Sequence, residues 1–594
     1  MTCTPSFSGA PSPEYRLSRK MNKDPGKMLK NAVADAVEFP RTGGQILVDQ
    51  LLIQGVDRAT CVPGESYLAV LDALHDAAID VLICRQEGGA AMMADAYARL
   101  SGRPGICFVT RGPGAANASP GIHIAMQDSS PMIVFVGQVE RSMREREAFQ
   151  ELDYKAVFGT MAKWAVEIDA ATRIPEIVAR AFRVATQGRP GPVVISLPED
   201  VLTEMATVKD VPRIEPVEPF PGEAEMGKLQ ALLAAAERPL VILGGSRWTQ
   251  KAHDAFLRFA ERFDLPVTTS FRRSSLFPAD HENYVGDLGV GPSPKLVQRV
   301  KEADLVLLVG GRFSEQQSSA YTLLDVPVPK QKLVHVYPDI GELGRVYQPT
   351  LAINATPDTF TEALAALATP NRIAWAGRTK AARAEYLDWT GKPRALPGAF
   401  QLGEAMVWLR ERLPPDAIVT NGAGNYATWV HRYFRFRRFG TQLAPTSGSM
   451  GFGTPAAVMA KRQCPDRIVV AFAGDGCFLM NGQEFATAVQ YDLPIIVVLV
   501  DNGMYGTIRM HQELHYPRRI SGTMLKNPDF AAYAKAFGGH GERVERTADF
   551  APAFERALAS GKPSILHCLV DAEALTPTRT LSEIREAGEK AAAG

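Results

Sequence analysis

Arg467-Ile-Val-Val-Ala-Phe-Ala-Gly-Asp-Gly476 is an apolar, β-type run that breaks into Gly474-Asp475-Gly476, and Asn502 stands 26 residues beyond the last of these glycines. A second apolar run, Leu493-Pro-Ile-Ile-Val-Val-Leu-Val-Asp501, leads into that Asn. Between the two runs, Gly482-Gln-Glu-Phe-Ala-Thr-Ala-Val-Gln490 has the pattern of a helix. Strand, helix, strand is a crossover unit, and parallel strands joined in this way end at the same edge of their sheet. Asp475 and Asn502 are therefore expected to converge. Both are oxygen donors of the kind Mg²⁺ takes when it also grips phosphate oxygens. The flanking glycines let backbone approach such a group closely.

Outward from this motif the same alternation of apolar runs and helical patterns continues. A chain of 594 residues is too long for one core, and the pattern divides it into three parallel-sheet α/β units. The unit holding the motif is expected at 395–575, after a linker containing Lys392-Pro-Arg-Ala-Leu-Pro397. A first unit is expected at 41–210, with short apolar runs such as Val81-Leu-Ile-Cys84, Gly105-Ile-Cys-Phe-Val109 and Met132-Ile-Val-Phe-Val136. The Pro- and Glu-rich stretch Val211–Pro221 then leads to a second unit at 222–366. Its strands Leu240–Leu243 and Leu305–Val309 run into Gly244-Gly245 and Gly310-Gly311, a Rossmann-like arrangement without a Gly-x-Gly-x-x-Gly turn. Residues 1–40 lack apolar periodicity and read as a flexible extension or the result of an upstream start site. Residues 576–594, rich in Glu and Ala, read as a tail that is a solvated helix or a frayed end.

The bulk numbers exclude several classes of function. Basic and acidic residues balance at 65 each, which leaves no electrostatic footprint for nucleic acid or an anionic membrane. No apolar stretch approaches the ~18 residues that a bilayer span requires. Seven scattered cysteines without a Cys-x-x-Cys pair fit a reducing cytoplasm.

With these motifs in this order, the chain resembles the thiamine diphosphate-dependent enzyme superfamily, and within it the acetolactate synthase-like catalytic subunits. The resemblance implies three consecutive domains: pyrimidine-binding, central Rossmann-like and diphosphate-binding. It implies Mg²⁺ held by the side chains of Asp475 and Asn502 and by the backbone carbonyl of Met504, with Gly474 and Gly476 beside the cofactor. Asn421-Gly-Ala-Gly-Asn-Tyr426 is similar to the family's diphosphate-contacting turn, which makes Gly424, Asn425 and Tyr426 cofactor-side residues. Asn425 and Tyr426 replace the usual Gln-His. Ser447-Gly-Ser-Met-Gly-Phe-Gly453 resembles the wall that bends the cofactor, so Gly448 would bond the pyrimidine edge and Met450 would be the wedge. Glu87, in Arg85-Gln-Glu-Gly-Gly-Ala-Ala91, matches the catalytic glutamate that donates a hydrogen bond to the pyrimidine ring nitrogen. In such enzymes this glutamate comes from one subunit and the metal site from another. The resemblance therefore implies a homodimer or homotetramer with shared active sites.

Phe149 and Gln150, in Ala148-Phe-Gln-Glu151, are substrate-side candidates on the same grounds. Two departures point away from plain acetolactate formation. Pro63-Gly-Glu-Ser66 places Glu65 where the biosynthetic enzymes usually have a small residue. His511 stands in place of a Trp that shapes the acceptor pocket. Arg111 lies where the family often has Ser, and reads either as a group reaching an anionic substrate or as a solvent-facing one. The implied activity is decarboxylation of a 2-oxo acid, or cleavage of a related C–C bond, with transfer of the acyl carbanion to a carbonyl acceptor or a proton. The alternatives are a flavin-dependent oxidase of the pyruvate oxidase type and a 2-hydroxyacyl-CoA lyase or decarboxylase. FAD in the central unit stays open, because no decisive flavin signature is present.

Overall fold

The computed structural model describes residues 39–593, so the expectation for residues 1–40 lies almost wholly outside the described part. Three six-stranded sheets carry the chain, and within each every pairing is parallel. The first sheet runs Asp80–Ile83, Arg58–Cys61, Gly105–Val109, Met132–Gln138, Pro192–Pro198, Trp164–Glu167 from edge to edge. The third runs Gln442–Leu443, Ile418–Asn421, Val469–Gly474, Ile496–Asp501, Ser564–Leu569, His540–Val544. Counted within its own unit, each of these two sheets has the order 2-1-3-4-6-5, so the first and third units repeat one topology. The middle sheet has the order 3-2-1-4-5-6 of the doubly wound dinucleotide folds. Fully buried runs such as Val469-Val-Ala-Phe472 and Ile496–Leu499 are what a parallel sheet covered on both faces requires.

The first and third units share a hydrophobic core. The helix Glu87–Ser101 packs against Gly453–Gln463, and Met92, Met93, Tyr97 and Ile122 of the first unit join Phe452, Val458, Met459 and Phe485 of the third in one cluster. Burying each large side chain contributes about 1.5–3 kcal/mol, so this seam is continuous with the folding core rather than a loose domain contact. Small residues set how closely helices approach here. A side chain at Gly121 would begin 2.3 Å from the Ala91 methyl carbon on the neighbouring helix.

Beyond Thr576, where composition suggests a solvated helix or a frayed end, the chain forms the helix Leu581–Ala593. Leu581, Ile584 and Gly588 are buried against the helix Gly506–His515 and its loop. Among the described residues no helix is long and apolar enough to cross a membrane.

Candidate functional site

Strand pairing explains why the decisive motif converges. Val469–Gly474 and Ile496–Asp501 are neighbours with Gly474 opposite Val500, so Asp475 and Asn502 leave the same edge of the third sheet. Both line a cleft of about 260 Å³, together with Met504, Gly424, Asn425, Tyr426, Gly448, Met450, Gly474 and Gly476. Every cofactor-side and metal-side residue expected from sequence is therefore gathered at one place. Two tyrosine rings lie against the Gly-Asp-Gly turn. A side chain at Gly474 would begin 3.1 Å from the Tyr426 ring, and one at Gly476 only 2.5 Å from the ring of Tyr505, so neither position has room for a Cβ without movement. Tyr426 itself is buried, and its hydroxyl is engaged by the Gly422 N–H at 3.1 Å and by the Cys477 thiol at 3.4 Å. Asn425 is tied across the cleft mouth, accepting from Thr507 Oγ1 at 2.9 Å.

A chain of polar groups behind the cleft escapes sequence reading. Asn527 Nδ2 donates to Asp475 Oδ2 at 2.7 Å and to Asp501 Oδ1 at 2.8 Å, and His567 Nε2 donates to Asp501 Oδ2 at 2.9 Å. Burial pushes the Asp475 carboxyl above the usual carboxylate range, and the charge of Asp501 adds to this against the Asn527 hydrogen bond. Asp501 goes the other way: burial opposes its charge, but His567, the Gly503 N–H and Asn527 outweigh it and hold the group low. The side-chain oxygen donors lining the cleft include the Asp475 carboxylate and the Asn502 amide, the Asn425 amide oxygen being already engaged by Thr507. Such a set leaves a hard cation short of ligands, which suits Mg²⁺ that completes its shell with phosphate oxygens and water.

Glu87 is not part of this cleft. It opens the helix Glu87–Ser101 at the carboxyl edge of the first sheet, half-buried, and accepts from Asn117 Nδ2 at 3.0 Å. The turn before it is fixed by the third unit: the buried Glu484 accepts from the Arg85 and Gln86 N–H groups at 3.0 and 2.9 Å. All cleft-lining residues fall between Leu402 and Leu575, so the first unit contributes none of them. The substrate candidates Glu65 and Gln150 lie at the first unit's turn at 110–114, which also meets Glu87, while His511 is on the third unit. Glu65 pairs with Arg111 at 2.9 Å, and Arg111, whose side chain is largely buried, also reaches Glu199 at 3.1 Å, so it is not solvent-facing. Phe149 is 74% exposed on a loop in which Glu151 accepts from the Glu145 and Ala148 N–H groups. The Gln150 carbonyl lies against Gly112. His511 sits on the exposed side of Gly506–His515, its ring stacked on His515 at 6.2 Å, and it does not line the cleft.

Residues 422–568 match the family described as thiamine pyrophosphate enzyme, C-terminal TPP binding domain; residues 41–157 match its N-terminal TPP binding domain and residues 226–364 its central domain. The chain is 33% identical to the acetolactate synthase isozyme 2 large subunit of Escherichia coli K12, over 89% of this chain and 95% of that protein. This chain belongs to the thiamine pyrophosphate enzymes. It falls with their acetolactate synthase-like members, being also 35% identical to the acetolactate synthase large subunit of Parasynechococcus marenigrum over 85% of this chain and 83% of that one. A probable acetolactate synthase large subunit of Methanocaldococcus jannaschii is 32% identical over 90% and 93%. In this thiamine pyrophosphate enzyme the first and third sheets, which repeat one topology, overlap the two matched TPP-binding domains, and the 3-2-1-4-5-6 sheet lies within the central one.

Proposed function

We propose that the cleft at the edge of the third sheet holds the diphosphate end of thiamine diphosphate through Mg²⁺, with Asp475 and Asn502 as side-chain ligands and the Met504 carbonyl as a third. Met450 forms the wall under the cofactor, and the loops around Gly424, Asn425, Tyr426 and Gly448 close the two ends of the site. The observation that carries this reading is the gathering of Asp475, Asn502, Met504 and Met450 around one cleft. When bound, thiamine diphosphate supplies the carbon nucleophile and electron sink for decarboxylating a 2-oxo acid and transferring its acyl unit. The chain's own groups bind, orient and move protons. Glu87 holds a proton at the pyrimidine ring nitrogen, and Asn117 orients its carboxyl group. Because the cleft draws nothing from the first unit of its own chain, Glu87 is proposed to act in the cleft of a second copy, in a homodimer or homotetramer. The working modules are proposed at 41–210, 222–366 and 395–575. A cytoplasmic setting is in line with the six free cysteines among the described residues.

The activity proposed first is acetolactate formation from pyruvate, in keeping with the relatives' names. Purified protein with thiamine diphosphate and Mg²⁺ is incubated with pyruvate and the products identified. Asp475→Ala is expected to lose the cofactor, and Glu87→Gln to keep it while losing most turnover. Normal cofactor retention in Asp475→Ala, or full activity in Glu87→Gln, would sink the site assignment. If bound cofactor leaves pyruvate untouched, the site reading survives and pyruvate is ruled out as substrate.

A flavin or related nucleotide is the second reading, favoured by the central sheet. Its switch point falls between Pro239–Leu243 and Leu305–Val309, where open α/β sheets bind nucleotides. Arg189, Arg247 and Arg312 gather near this edge. Burial lowers the Arg189 guanidinium below its ordinary value and Arg312 adds to it, while Arg247 is paired with Glu218. Flavin absorbance in the isolated protein, and its bleaching by substrate without oxygen, separates a structural flavin from an oxidase.

A further inference from the structure

The wall segment that carries Met450 is anchored at both ends, and the two anchors differ in kind. Downstream, the Gly451 N–H donates to Cys477 Sγ at 3.3 Å, two residues from Asp475. A Cβ at Gly451 would stand 2.7 Å from the Asn481 amide nitrogen, so the segment is seated directly on the metal-side turn. Upstream, three successive residues are each gripped by a side chain from another unit. Arg99 Nη1 donates to the Ala444 carbonyl at 2.7 Å, and Arg272 Nη1 to the Pro445 carbonyl at 2.6 Å. The Thr446 N–H donates to the Asp128 carboxylate, at 3.1 and 3.0 Å from its two oxygens.

Asp128 is the hub of this clamp. Its side chain is completely buried and also pairs with Arg99 at 2.6 Å and with Arg273 of the central unit at 2.7 Å. Arg99 in turn pairs with the buried Asp95 at 2.8 Å. Burial works against the charge on Asp128, but the two guanidinium groups and the Thr446 N–H outweigh it and keep the carboxyl below the usual carboxylate range. Between the anchors, Ser447 to Met450 have only local hydrogen bonds: the Gly448 N–H to the Pro445 carbonyl at 3.1 Å, and Ser449 Oγ to the Met450 carbonyl at 3.2 Å. Gly448 takes φ +68°, a left-handed turn that reverses the chain into the cleft. Four residues strung between two fixed points inherit their position from those points.

We propose that Asp128, Arg99 and Arg272 are positioning residues that set where Met450 stands in the cleft, so that packing of the first and central units against the third fixes the cofactor wall. The proposal rests on the reading of Met450 as that wall. It predicts a division of labour. Removing the upstream anchor leaves Asp475, Asn502 and Gly451 in place, so the cofactor still binds but is no longer held in its reactive bend. A misplacement of about 1 Å in such a constellation costs about 100-fold in rate.

The test compares Asp128→Asn, Arg272→Met, Arg272→Lys and Met450→Ala as full-length proteins with thiamine diphosphate and Mg²⁺. Three quantities are read: thermal stability, cofactor affinity, and hydrogen–deuterium exchange at C2 of the bound cofactor. The exchange needs no substrate. Asp128→Asn and Arg272→Met are expected to slow exchange by about 10- to 100-fold with cofactor affinity largely kept, and Arg272→Lys, which retains a donor for Pro445, to recover most of it. Exchange at the wild-type rate in folded Asp128→Asn and Arg272→Met, with a loss in Met450→Ala, overturns the proposal and makes the clamp adhesive only. Wild-type exchange in Met450→Ala instead removes the wall reading on which it rests. If Asp128→Asn does not fold, Arg272→Met alone decides, since Met replaces the buried guanidinium with an apolar chain of similar length.

Discussion

Asn527 is the residue whose removal separates a metal site from a pair of neighbouring carboxylates. Its amide is shared between Asp475 and Asp501, and without it two buried acids face each other with no donor between them. Asn527→Ala is expected to destabilise the protein by about 2 kcal/mol and to weaken Mg²⁺ and thiamine diphosphate binding, because Asp475 then loses the group that orients its carboxylate. Denaturant unfolding and calorimetric titration of the cofactor check the two effects, and unchanged cofactor affinity would make Asn527 a packing residue only. Asn527 also marks the limit of what the sequence discloses. Asp475, Asn502 and Met450, which come together at one cleft, stand out in the sequence because each sits in a short motif whose glycines and flanking strands are contiguous in the chain. Asn527, His567 and Glu484 do not, since each meets its partner across a sheet or a domain seam and nothing near it in sequence marks that encounter.

At the scale of elements, the helix Leu581–Ala593 packs on Gly506–His515 through Leu581 and Ile584, and one buried acid of the latter helix gathers the polar contacts between them. Glu513 accepts from Arg509 at 2.8 Å, from Arg585 at 3.0 Å and from the Arg518 N–H at 3.0 Å. Burial alone would raise its carboxyl group, but Arg585, the Arg518 N–H and Arg509 together bring it from 4.5 down to about 2. A depressed acid stabilises the folded state fully above its unfolded value. This docking energy is therefore present above pH 4.5 and is lost as the pH falls toward about 2. Glu513→Gln, which leaves the buried arginines unpaired, should loosen the helix by about 3 kcal/mol at neutral pH. The gap from the parent should close as the pH falls through that window. Limited proteolysis at the carboxyl end as a function of pH measures it, and a gap that persists at pH 2 would refute the assignment. This docking is invisible in composition, which shows only Glu and Ala. The short edge strands are hidden for a related reason: Trp164–Glu167 is half-buried throughout and Gln442–Leu443 is only two residues long, so neither makes an apolar run. The central strands are fully buried, and for them the apolar run and the strand coincide.

At the scale of the whole molecule, the question is where Glu87 works. The cleft is built wholly from the third unit, while Glu87 stands at the carboxyl edge of the first, its turn braced by Glu484 of the same chain. If a second copy supplies Glu87, each site takes the metal side from one chain and the glutamate from the other, and two damaged chains can complement. In a mixed dimer of Glu87→Gln with Asp475→Ala, one site carries both lesions and the other carries neither. Random pairing of equal amounts makes half the dimers mixed, so about one quarter of wild-type activity should return, although each variant alone is nearly inactive. Co-expression with two affinity tags, followed by assay of the doubly tagged dimer, isolates the mixed species, in which about half of the sites should be active. Were Glu87 and Asp475 to serve a site within one chain, every chain in the mixture would carry one lesion in its only site, and no activity would return at any mixing ratio.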